Sequence, residues 1–65
     1  MNFQDRMLLN FVGKILEGKP YELVSDNPDL IGRARELARR LGATEREVAD
    51  GGAMTSIIFD PPMRQ

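Results

Sequence analysis

Apolar residues recur at helical spacing near the start of the chain and make two rows. Phe3, Met7, Phe11 and Ile15 stand at four-residue intervals, with Leu8, Leu9, Val12 and Leu16 beside them. The pattern predicts a helix from about Phe3 to Glu17, with Asn2 as N-cap, closed by Gly18 ahead of Lys19 and Pro20. Together the rows span roughly 200° of the helical wheel, whereas a surface helix normally turns an arc of about 100° or a little more towards the core. One row is expected to pack on the rest of the chain. The other needs cover from the C-terminal segment, from a second copy or from a foreign partner.

Further along, "PYELVSD" suits either a short edge strand or a loop, with Tyr21 and Leu23 on one side and Val24 on the other. A second helix is expected between Asn27, a good cap followed by Pro28 and Asp29, and Gly42, which ends it. Its apolar stripe is Leu30, Ile31, Ala34, Leu37, Ala38 and Leu41, and its outer face carries Arg33, Arg35, Glu36, Arg39 and Arg40. Thr44 and Glu47 make a capping-box pattern that predicts a short third helix, stopped by Gly51 and Gly52. The segment "AMTSIIFD" is β-branched and aromatic enough for a strand, ended by Pro61 and Pro62 ahead of Met63. Met54, Ser56 and Ile58 would then point one way and Thr55, Ile57 and Phe59 the other.

The expected fold is therefore mostly α, of α+β character. It is one domain over residues 1–65, with two main helices, a short third helix and a C-terminal β-strand that pairs within the chain, across a homodimer or on a target. At 65 residues a chain hides only about 60% of its unfolded surface, so its stability is marginal. Disulfides and a zinc site of nitrogen and sulfur ligands are both closed to it, because it has no Cys and no His. Association is the remaining way to add stability, and a homodimer is the expected state.

Nine Lys and Arg against ten Asp and Glu give a net charge of -1, so no overall field favours nucleic acid or an anionic membrane. The longest apolar runs are three residues, no membrane partner is expected, and no secretory signal is recognisable. The expected location is cytoplasmic.

Residues 34–52, "ARELARRLGATEREVADGG", carry a partial resemblance to helix-turn-helix regulators. It rests on Leu37, Ala38, Leu41, Gly42, Thr44 and Val48, which match that motif's apolar, small, apolar, turn-glycine, cap and buried aliphatic positions. The resemblance implies DNA binding through residues 30–50, with Arg33, Arg35, Arg39, Arg40 and Arg46 as candidate nucleic-acid contacts. The second half departs from the motif, because Glu45, Glu47 and Asp50 would face the phosphates of a major groove.

No nucleophile with an activating base is recognisable, and "DGG" lacks the Lys and Ser or Thr of a phosphate-binding loop. No enzyme activity, cofactor or metal is expected. The leading expectation is a non-catalytic protein-interaction module, an inhibitor or regulator of a larger protein. Short stand-alone chains without cofactor chemistry are common among phage and mobile-element inhibitors, anti-CRISPR proteins included, and that base rate is an analogy of size alone. The expected interface is Phe3, Met7, Leu8, Leu9, Phe11, Val12, Ile15, Leu16, Ile57 and Phe59. A small DNA-binding regulator is the alternative.

Overall fold

A computed structural model describes residues 2–62, so Met63 lies outside the described residues. The elements run α1 (Phe3–Leu16), β1 (Tyr21–Ser25), α2 (Pro28–Leu41), β2 (Thr44–Asp50) and β3 (Thr55–Asp60). The strands form one antiparallel sheet in the order β1-β3-β2, so the last strand in sequence lies between the other two. Both helices pack on the same face of that sheet, where Leu8, Phe11 and Ile15 of α1 and Leu30, Ala34 and Ala38 of α2 close over Leu23, Ile57 and Phe59. At the centre Phe11 meets Phe59 and Tyr21 with ring centroids 4.9 and 5.5 Å apart, both tilted.

Local chemistry sets both helix ends. The Asn2 side chain accepts from the Asp5 N–H at the start of α1. The Asn27 side chain accepts from the N–H groups of Asp29 and Leu30 at the start of α2, with Pro28 in the first turn. At the other end of α2 Gly42 adopts φ 79°, and the Ala43 N–H reaches back to the Ala38 carbonyl at 2.8 Å. This left-handed cap turns the chain sharply off the helix axis and lets Ala43 pack against the core.

Beyond Gly42 the structure departs from the expected fold class. Residues 44–50 are not a third helix but the edge strand β2, paired with β3 from Thr44↔Asp60 to Asp50↔Thr55. The molecule is a two-layer α+β domain with a three-stranded sheet, not a mostly helical one with a lone terminal strand. The glycines read as a helix stop instead make a hairpin loop. The Asp50 side chain accepts from the Gly52 N–H, Gly52 sits at φ 88°, and the Gly51 N–H donates to the Met54 carbonyl. Nor does β3 need a partner from another molecule, because it is paired on both sides within the chain, with β1 from Tyr21↔Phe59 to Ser25↔Thr55 and with β2. That leaves β3 no free edge for pairing across a homodimer or on a target, two of the three arrangements considered for it.

Strand β2 is exposed along its whole length, since the helices cover only β1 and β3. It is held by the ladder to β3, by Arg35 from α2 on Glu45, and by Arg46, whose Nε donates to both carboxylate oxygens of Asp60 at 3.0 and 2.9 Å. A break in register between Glu45 and Glu47 places a bulge at Arg46, a feature that disfavours further pairing on the open edge. Among the described residues no helix is long and apolar enough to cross a membrane.

Candidate interaction surfaces

The fold divides the expected interface residues into two groups. Leu8, Phe11, Ile15, Ile57 and Phe59 are buried in the domain's own core and offer no surface to a partner. Phe3, Leu9 and Leu16 are 75%, 56% and 60% exposed, while Met7 and Val12 pack against the edge of the core. The core line of α1 thus follows the spacing 8, 11, 15 and cuts across both rows read from the sequence. Position along the helix decides the rest, because the exposed residues gather in two places.

Leu9, Val12 and Leu16 lie along one side of α1, where the helix turns away from the sheet towards α2. Leu9 and Val12, with Leu8 and Asp5 of the same helix and Leu37 of the facing one, line a shallow, mainly apolar groove of about 380 Å³. Leu16 continues the strip to a neighbouring depression lined by Ile15, Leu41 and Pro62. Polar groups border the strip as neutral pairs. Asp5 faces Arg33 at 3.7 Å, and Arg40 reaches Glu36 at 3.3 Å one turn back along α2. Phe3 belongs to a different patch at the far end of α1, a cleft it shares with Met7, Leu30 and Met54.

The five arginines expected to touch nucleic acid all have carboxylate partners within the chain. Arg33 pairs with Asp5, Arg35 with Glu45, Arg39 and Arg40 with Glu36, and Arg46 with Asp60. Four of them stand on the outer face of α2 and Arg46 on the edge strand. Because residues 44–50 form β2, no recognition helix succeeds Gly42, and the helix-turn-helix resemblance ends at the turn.

The sequence reading missed the open face of the sheet. Glu22, Ile58 and Glu47 form one cross-strand row there, and Val24, Ser56 and Ala49 the next, with no helix above them. The Ser56 hydroxyl donates to Glu22 at 3.1 Å, and Val24 is 44% exposed. The alternation along β1 and β3 is legible in the sequence, but which of the two faces stays open depends on the pairing with β2 and on where the helices lie.

Catalytic geometry is sparse among the described residues. Ser25 is the buried polar side chain, and its hydroxyl is committed to a turn, accepting from the Asn27 N–H at 3.0 Å. No group of three or more acidic, His or Cys side chains stands close enough to hold a metal ion among the described residues. Tyr21 has its phenol held above the ordinary value of 10.0 by burial, which penalises the charged form. Comparisons with protein-family models, curated proteins and solved structures find no match to this chain.

Proposed function

We propose that the chain is a non-catalytic protein-interaction module, an inhibitor or regulator that acts by occupying a surface of a larger protein. The observation that carries this reading is a contiguous apolar strip in which Leu9 and Leu16 are more than half exposed beside Val12 and Leu37 at the edge of the core. Single exposed leucines are ordinary on any protein. A strip continuous across two helices is the pattern of a contact surface. The open face of the sheet, with Val24, Ile58 and Ala49 between acidic side chains, gives a second broad surface on the opposite side of the molecule.

Two observations weigh against the DNA-binding alternative. The segment that would be the recognition helix is an edge strand, and every candidate arginine already has an acidic partner. Phosphate contact would first require breaking those pairs.

The test is capture from the native host by the wild-type chain and by Leu9→Glu and Leu16→Glu, with the mass of the purified complex measured. Both leucines are more than half exposed, so the variants should fold as the wild type does while losing the captured partner. Equal capture by both variants would refute the assignment of this strip.

A further inference from the structure

We propose that the occupant of the α1 strip is a second copy of this chain, docked helix on helix and antiparallel about a two-fold axis that passes beside Gly13. This rests on the reading of the strip as a contact surface; the larger target then engages the open sheet faces of the two paired copies together, so a variant that breaks the pair also loses the captured partner.

Three features point to self-pairing. The first is Gly13, which adjoins the strip four residues after Leu9 and three before Leu16. Glycine inside a helix costs stability relative to alanine. A Cβ at Gly13 would nevertheless meet nothing within 4 Å, so the chain's own packing does not require the glycine. A second helix crossing there would use the missing side chain, because the two backbones could approach closely.

The second feature is the order of charge along the flank beyond Gly13, where Arg6 stands seven residues before it and Glu17 four after. In an antiparallel two-fold pair the same flanks of the two helices meet with their directions reversed. An axis between residues 12 and 13 sets Leu9 level with the second copy's Leu16 and Val12 level with its Gly13. It also brings Arg6 within side-chain reach of the second copy's Glu17, and the reverse at the other end. A parallel pair would instead stack Arg6 on Arg6 and Glu17 on Glu17. Among the described residues Arg6 makes no ion pair, in contrast to the arginines of α2 and β2, and Glu17 has only the exposed Lys19 at 3.5 Å.

The third feature is the rest of the surroundings. The opposite border is made of the neutral pairs Asp5–Arg33 and Glu36–Arg40, and a net charge of -1 puts no strong field between two copies. The open sheet face lacks this self-complementarity. Glu22 and Glu47 flank Ile58 on either side, so stacking two such faces would oppose carboxylates.

The absence of cysteine makes the geometry directly testable with single introduced thiols. Under mild oxidation at micromolar concentration, Gly13→Cys should convert to a disulfide-linked dimer, while Ala49→Cys on the open sheet face should form no disulfide link between copies. By sedimentation equilibrium the wild type should approach twice its 7.3 kDa chain mass. Arg6→Glu should weaken the dimer roughly ten-fold, since two symmetric exposed pairs become repulsive, each worth a few-fold. Adding Glu17→Arg to Arg6→Glu should restore it. Failure of Gly13→Cys to cross-link, cross-linking of Ala49→Cys to the same extent, or a double variant no better than Arg6→Glu would each overturn the proposal. A monomeric wild type whose Leu16→Glu variant still loses its captured partner would remove the second copy and leave the strip as a contact surface. A dimer unaffected by Leu16→Glu would overturn the second copy, and unchanged capture by that variant would overturn the reading of the strip as well.

Discussion

Arg35 of α2 and Glu45 of β2 are joined by two hydrogen bonds, Nε to Oε2 at 2.9 Å and an Nη to Oε1 at 3.2 Å. The pair bridges the turn at Gly42 and ties the edge strand to the second helix, so a side chain expected to face DNA is instead engaged within the fold. Arg35→Ala and Glu45→Ala, alone and combined, should reveal a coupling of about 0.5 kcal/mol in denaturant melts, within the usual range for exposed pairs. The coupling should shrink in 1 M salt, where the screening length falls to about 3 Å. Additive effects at low salt would mean that the pair does not hold β2 to α2.

Phe11 fills the centre of the core, against Phe59 and Tyr21. Its replacement by alanine should cost about 3–5 kcal/mol, comparable with the whole stability of a domain this small, and leave the chain largely unfolded by circular dichroism. Leu9→Ala and Leu16→Ala remove side chains that the monomer does not bury. At concentrations low enough to keep the chain monomeric, each should change stability by less than about 0.5 kcal/mol.

The hairpin turn depends on Gly52, whose φ of 88° disfavours any side chain, whereas Gly51 has no positive φ. Gly52→Ala should cost about 1–2 kcal/mol. At Gly51 an added Cβ would make an ordinary 3.7 Å contact with the Met54 carbonyl, so Gly51→Ala should cost less than Gly52→Ala. Equal melting temperatures for the two variants would show that this turn does not set the β2–β3 register.

Tyr21 is the single tyrosine, so its ionisation can be followed by absorbance without interference. Burial favours the neutral phenol, and its value in the folded state lies above the ordinary 10.0. The stabilisation is therefore complete below pH 10 and is lost as pH rises through the folded-state value. Stability should fall above pH 10 more steeply in the wild type than in Tyr21→Phe, and the absorbance titration of the folded protein should be displaced to alkaline pH. A titration centred on 10 with the fold intact would contradict the burial of this ring.

The ends of both helices are legible in the sequence because they depend on neighbours in sequence: Asn2 and Asn27 cap, Pro28 starts and Gly42 turns the chain. Residues 44–50 are not legible in this way. Glu, Arg and Ala favour helix in isolation, and the Thr44–Glu47 spacing imitates a cap. Pairing with β3 and the bridges to Arg35 and Asp60 override that preference, and no local pattern announces them. For the candidate site, the excess of apolar residues on α1 is visible along the chain, but not which arc turns inward. That choice depends on where the sheet lies, and it sends Leu8 and Phe11 inside while Leu9 and Leu16 stay out. The pairing of the arginines is only half readable, since Glu36 lies on their own helix, whereas Asp5, Glu45 and Asp60 are brought to Arg33, Arg35 and Arg46 by the tertiary fold.

The most direct measurement of the central claim is a residue-by-residue map of amide chemical shifts in the isotope-labelled chain, taken as it is concentrated from the micromolar to the millimolar range and again with its captured partner. Contact through the proposed surfaces predicts changes centred on Leu9, Val12, Gly13, Leu16 and Leu37 on self-association, and on Val24, Ala49 and Ile58 when the larger protein is added. Changes confined to the arginine-bearing face of α2, or to the open edge of β2, with the α1 strip unmoved throughout, would contradict it.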